Sequence, residues 1–220
     1  MEFKNTENFI IEKIKELKLP YFKCVVTKGN KIVYSSRFSD SGKNDLLKMY
    51  SMSKPITVVA FMQLVEKGLV DVDDEVSKYI PGFENLKLKD SDLPVKTPLK
   101  IHHLLTMTSG LDYNLFRPAI LKCTNSNKNA STLDIVSCFA KDGLLFEPGS
   151  LFNYSLSIDV VAAIIEIVSK MKFSEYVKRN IFDPLGMKNS TFKNDKSYSN
   201  KAIKDFFYSN GKLEKSSGNY

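Results

Sequence analysis

Residues 50–83 read YSMSKPITVVAFMQLVEKGLVDVDDEVSKYIPGF, and this stretch decides the fold. Within residues 52–67, Ile56, Val59, Ala60, Met62, Gln63 and Leu64 recur at helical spacing. Pro55 falls in the first turn, where a missing N–H costs little, and Gly68 ends the run. LVDVDDEVSKYIPGF then reads as a turn with a short helix. If the helix starts near Ser51, then Ser51 and Lys54 are three apart and share one face. A serine hydroxyl is a poor nucleophile until something takes its proton. A neighbouring lysine can do so if burial or another cation lowers its pKa. The helix N-terminus adds a positive potential of roughly half a charge, which favours an alkoxide and disfavours the lysine's proton. The spacing S-x-x-K alone is weak, because a helix cap followed by a surface lysine gives the same letters.

On the N-terminal side, residues 6–18 read as a helix capped by Thr6 or Asn5, with Phe9, Ile10, Ile14 and Leu17 on one face. Pro20 stops it. YFKCVVTKGNKIVYSSR, residues 21–37, places two β-rich runs around Gly29-Asn30, a two-residue hairpin signal. On the C-terminal side a polar loop spans 84–98 and a helix covers about 101–107, closed by Thr108-Ser109-Gly110. Residues 113–131 read as a long loop. Helices are expected at about 132–141, 157–169 and 173–181, with a turn at Asp183-Pro184-Leu185-Gly186. Beyond residue 193 the chain is polar, with at most a short element near 202–208. A lone hairpin is marginal, and nothing there clearly supplies more strands.

The bulk composition excludes several classes. Hydrophobic residues make up 43% and charged residues 26% of 220, as in a soluble globular protein. The net charge of +7 comes from lysines scattered among acids, with no basic stripe or nucleic-acid motif. Cys24, Cys123 and Cys138 are odd in number and lie in no CxxC pair, which argues against zinc and for reduced thiols. The N-terminus MEFKNTENFIIEKIKELK has no signal-peptide h-region, and the longest apolar stretch, residues 160–165, is too short for a membrane span. If Met1 is the natural start, a cytoplasmic location follows.

The 50–83 stretch closely resembles the nucleophile helix of class C β-lactamases, their esterase relatives, penicillin-binding proteins and DD-peptidases. The resemblance continues in IHHLLTMTSGL (101–111), EPGSLFNYSLSIDVVAAIIEIVSK (147–170) and YVKRNIFDPLGMKNSTF (176–192). It covers most of residues 21–193, the N-terminal two-thirds of that superfamily. It implies an acylated nucleophile at Ser51 with Lys54 as proton acceptor. The family's Tyr-x-Asn motif follows its Pro-Gly turn, here Pro148-Gly149, and reads Tyr154-Ser155-Leu156. Tyr154 takes the place of the family's catalytic tyrosine. A phenol with pKa near 10 acts as a base only if cations lower it, and Lys54 is the cation at hand. Leu156 stands where the family has an Asn that holds the substrate's amide side chain, and Leu can neither donate nor accept. This favours an ester, acyl transfer or another amide over a true β-lactam. Ser155 and Ser157 are further candidates for polar contacts.

A Ser-His-Asp triad would need His102 or His103, which lie in a block resembling a structural helix, and G-x-S-x-G is absent. Their expected role is structural, with His103 bonded to backbone. The family's third motif, Lys-Thr-Gly or His-x-Gly, is not found. Lys215-Ser216-Ser217-Gly218 has an extra residue and does not substitute for it. That motif's strand supplies one oxyanion-hole N–H in the family, the other coming from Ser51. Losing one such donor costs on the order of 100–1000-fold in rate.

The expectation is therefore an α+β, β-lactamase/transpeptidase-like fold whose C-terminal strands are missing. It forms one domain over 1–220: helix plus hairpin in 1–43, a mostly helical region carrying the motifs in 44–193, and a polar tail in 194–220. The implied function is a serine hydrolase acting through an acyl-enzyme, with turnover impaired by the missing motif. The alternative is a non-catalytic binding protein on the same scaffold. No metal or organic cofactor is implied. The expected partners are a small-molecule ester, a β-lactam or a peptide-like substrate, with no nucleic acid. Self-association or a completing chain could use the exposed edge of the hairpin at 21–37.

Overall fold

The computed structural model describes residues 3–39, 46–114, 116, 118–126, 130–192, 202–203 and 205–215. They fall into two compact units, Met1–Lys48 with Asn194–Tyr220, and Met49–Lys193.

In the first unit, helix α1 (Lys4–Leu17) precedes an antiparallel hairpin of β1 (Tyr21–Lys28) and β2 (Lys31–Ser39). The N-cap position is Phe3 and not Asn5 or Thr6, and no side chain caps the helix. Of its expected apolar face only Ile10 is buried; Phe9 is 60% exposed. Lys28 pairs with Lys31, so Gly29 and Asn30 form the two-residue turn, and Gly29 takes φ +59. A glycine at the first turn position tolerates that angle without a Cβ clash.

A second hairpin lies in what reads as a polar tail. Strands β3 (Phe206–Ser209) and β4 (Lys212–Lys215) are joined by Asn210 and Gly211 at φ +49 and +76. Two positive angles in an Asn-Gly pair match the I′ turn that suits strand twist. The two hairpins form separate two-stranded sheets.

The second unit is helical. It comprises α2 (Lys54–Glu66), α3 (Ile101–Leu105), α4 (Pro118–Ser126), α5 (Thr132–Ser137), α6 (Ser157–Ser169) and α7 (Phe173–Val177), with a π-type turn at Lys178–Phe182. Helix α6 is central and packs against α2, α3, α5 and α7. Its Val160, Val161, Ala163, Ile164 and Ile165 are wholly buried, as expected of a helix apolar on nearly every side. Helix α2 meets it with Thr57, Ala60, Phe61 and Leu64. The buried face is therefore rotated from the expected one, and Val59 and Met62 face solvent. Helix α4 also corrects the loop expected at 113–131: Pro118 opens it, as proline favours a first helical position.

Short backbone links fix the segments between helices. Ile101 N–H donates to Asp74 O and His102 N–H to Val72 O, seating α3. Leu145 N–H donates to Gly110 O. A Cβ at Gly110, which has φ +82, would lie 2.4 Å from Phe146 O, so only glycine fits. Among the described residues no helix is long and apolar enough to cross a membrane.

Candidate active site

Ser51 and Lys54 are brought together differently from the expected single helix. Tyr50–Ser53 form a 3₁₀ turn, and the α-helix starts only at Lys54. A 3₁₀ turn eclipses residues three apart, which aligns the two side chains. Lys54 Nζ donates to Ser51 Oγ at 3.2 Å. Tyr50, just before the nucleophile position, has φ +44, a left-handed angle uncommon for a non-glycine residue. The turn thus holds Ser51 exposed at the mouth of α2, within the positive field of the helix end.

Tyr154 comes from the loop before α6, and its hydroxyl donates to Ser51 Oγ at 2.6 Å. One oxygen therefore receives both a phenol and an ammonium. The phenol of Tyr154 lies below its ordinary value of 10.0, first through its hydrogen bond with Ser51 and next through Lys54. The carboxylate of Asp159, in the first turn of α6, acts electrostatically on both Lys54 and Tyr154 and opposes that lowering. An oxygen placed between these donors is one on which negative charge is stabilised.

Tyr113 completes an aromatic frame that the sequence reading missed. Its ring lies 5.4 Å from that of Tyr154. Lys54 Nζ sits 5.5 Å from the Tyr113 ring centre and 4.9 Å from that of Tyr154, within cation–π range of both. No pattern in residues 113–131 marks this tyrosine, because the contact depends on a fold-level approach.

The residues around Tyr154 point away from Ser51. Leu156 is 7% exposed and belongs to the core, with its N–H donating to Asp112 O. Ser155 and Ser157 are fully buried and bond to each other at 2.6 Å, so they offer no contact to a ligand. Asn153 is tied by its side-chain N–H to Leu111 O.

The two histidines sit apart from this chemistry. His103 is buried, its Nδ1 accepts from Lys100 N–H, and desolvation, chiefly, holds its pKa down. His102 Nδ1 lies 3.1 Å from Asp73. Among the described residues no group of three or more His, Cys, Asp or Glu could hold a metal ion.

Comparison with known proteins follows the same lines. The family profile described as Beta-lactamase matches residues 8–201. Esterase EstB of Burkholderia gladioli is 32% identical over 163 residues, which cover 68% of this chain and 39% of the esterase. Penicillin-binding protein 4* of Bacillus subtilis is 35% identical over 148 residues, covering 66% of this chain and 30% of that protein. The solved structure of EstCE1, described as a hydrolase with promiscuous acyltransferase activity, superposes with a TM-score of 0.82 at 26% identity, over 96% of this chain and 58% of that one. The α+β, β-lactamase/transpeptidase-like fold is thereby shown. The chain spans well under two thirds of the length of these relatives.

Proposed function

We propose a serine hydrolase acting through an acyl-enzyme, from one premise: the chain belongs to the Beta-lactamase family. The observation that carries the proposal is the convergence of Tyr154 OH at 2.6 Å and Lys54 Nζ at 3.2 Å on Ser51 Oγ. In this reading Tyr154 acts once its own proton has left to solvent, with Lys54 offsetting the charge on the phenolate. Ser51 Oγ then attacks the carbonyl carbon of an ester or amide as its proton passes to the Tyr154 phenolate oxygen. The oxyanion collapses, the leaving group takes the proton from Tyr154, and the acyl group stays on Ser51. Water then releases an acid, or an acceptor alcohol takes the acyl group.

Esters are favoured over β-lactams as substrates, because Leu156 is buried where the resemblance implies an amide-holding Asn. The name of one relative, Esterase EstB, agrees. The 220 residues contain no Lys-Thr-Gly or His-x-Gly motif to add a second oxyanion donor to the Ser51 N–H. Both steps lose that donor, whereas a nitrophenyl leaving group speeds acylation alone, so with such an ester we expect this chain by itself to acylate faster than it deacylates. The test mixes the chain with a nitrophenyl ester or with a penicillin and follows released product and intact mass. A burst of about one nitrophenol per chain with the ester is expected, and faster acylation by the penicillin would overturn the ester preference. The non-catalytic alternative requires that no adduct form and that Ser51→Ala leave ligand binding intact.

Self-association belongs to the same proposal. Both strands of the β1–β2 hairpin are edges among the described residues, and Ile32 is 67% exposed. Such edges pair with a second copy of the chain. Light scattering that stays monomeric across the soluble concentration range would contradict this.

A further inference from the structure

Three buried hydroxyls behind Tyr154 form a hydrogen-bonded chain. Ser109 Oγ lies 2.7 Å from Ser157 Oγ, and Ser157 Oγ lies 2.6 Å from Ser155 Oγ. Ser155 Oγ reaches Met107 Sδ at 3.6 Å. All three serines are at most 1% exposed. A thioether can only accept, so when Ser155 donates to Met107, Ser157 donates to Ser155 and Ser109 to Ser157. The oxygens are also accounted for: Ser109 Oγ accepts from Leu111 N–H, and Ser155 Oγ accepts from Ser157 N–H. In that order every hydroxyl proton has an acceptor.

The chain joins two loops. One runs through Met107 to Asp112 and leads into Tyr113; the other carries Tyr154. Three further bonds cross between them and bracket Tyr154 on both sides: Asn153 N–H to Met107 O, Asn153 Nδ2 to Leu111 O, and Leu156 N–H to Asp112 O. Apolar packing would fill the same space, and replacing both partners of a buried bond by apolar groups is often nearly neutral for stability. What a directional chain adds is register, since each bond is satisfied at one relative placement of the loops.

We propose that Ser109, Ser155 and Ser157 are positioning residues that hold the Tyr154 hydroxyl against Ser51. Their consequence for rate rests on the serine hydrolase reading, whereas the placement of Tyr154 does not. They touch no substrate and act only through Tyr154.

The test compares the parent chain with Ser157→Ala, which breaks two links, and with Val136→Ala, a truncation elsewhere in the same core. Ser109→Ala, which breaks one link, is read in the same way if Ser157→Ala does not fold. Two measurements are made on folded protein: the rate of Ser51 labelling by a fluorophosphonate, and the titration of Tyr154 by ring-carbon NMR. With Ser157→Ala, labelling is expected to fall about tenfold, the factor given by loss of roughly one hydrogen bond. The Tyr154 titration moves up toward that of an ordinary tyrosine. Val136→Ala changes neither. Unchanged labelling and titration in the serine variant would overturn the proposal, as would equal changes in Val136→Ala. If the parent chain is not labelled, the hydrolase reading fails by itself. The titration then decides: a shift in the serine variant alone supports the positioning role, and no shift overturns it.

Discussion

Tyr154 donates a 2.6 Å hydrogen bond to Ser51 from a loop 103 residues further along the chain. That bond and the Lys54 contact give one hydroxyl oxygen two partners able to manage its proton. Replacing Tyr154 with Phe removes the hydroxyl and keeps the ring over Lys54. Ser51 labelling by a fluorophosphonate is expected to slow by roughly 100- to 10,000-fold, the usual span for a general base. Circular dichroism should stay the same.

The same phenol sets a pH dependence. Its pKa lies below the ordinary 10.0, so labelling should rise with pH as phenolate forms, with its midpoint lower than that of an ordinary tyrosine. Lys54→Met removes the cation and moves that limb to higher pH. Asp159→Asn removes a charge that opposes phenolate formation and moves it to lower pH. Rate profiles of the three proteins check the signs.

Leu156 stands in the core, so restoring the family's amide there does not rebuild the motif. Leu156→Asn buries a side-chain amide with no ready partner and is expected to destabilise by about 1–3 kcal/mol. Urea unfolding measures this. Faster hydrolysis of a penicillin by the variant would contradict the placement of this side chain.

How much of this was legible in the sequence differs by element. Helix α6 was read to the residue, because its apolar run is bounded by polar signals on both sides. Helix α2 was found but its buried face was misjudged: it is apolar on nearly every side, so periodicity cannot choose between Val59 and Phe61. Helix α4 was hidden by the Asn, Ser and Lys residues around it. The β3–β4 hairpin was missed although Asn210-Gly211 between alternating residues carried its signal. That Ser51, Lys54 and Tyr154 meet was legible through motif context. Tyr113 and the serine chain were not, because they exist only where two distant loops meet.

An acid limb in stability is expected from Asp74. Lys78 Nζ at 2.7 Å, and then the Tyr79 hydroxyl at 2.6 Å, hold its carboxyl at about 2, below the ordinary 3.8. A carboxyl with a depressed folded value contributes stability above its unfolded value and loses it as pH falls through the folded one. Unfolding free energy should therefore drop between about pH 4 and pH 2. Asp74→Asn should flatten part of that window. Glu147, lowered first by Thr97 N–H and then by Lys96 N–H, adds to the loss of stability in acid in the same direction.

Gly110 is fixed by geometry. A Cβ there meets Phe146 O at 2.4 Å on a left-handed backbone, so Gly110→Ala must displace one of the loops that frame Tyr154. Thermal unfolding should shift down, by more than the same substitution at Gly68, where nothing lies within 4 Å of the added carbon.

The nucleophile assignment is tested most directly by intact-mass and peptide-mapping analysis after exposure to a fluorophosphonate. One adduct per chain is expected, located on Ser51, absent from Ser51→Ala and much slower to form in Lys54→Met and Tyr154→Phe. An adduct that persists in Ser51→Ala, or a parent chain that takes up no label, would contradict it.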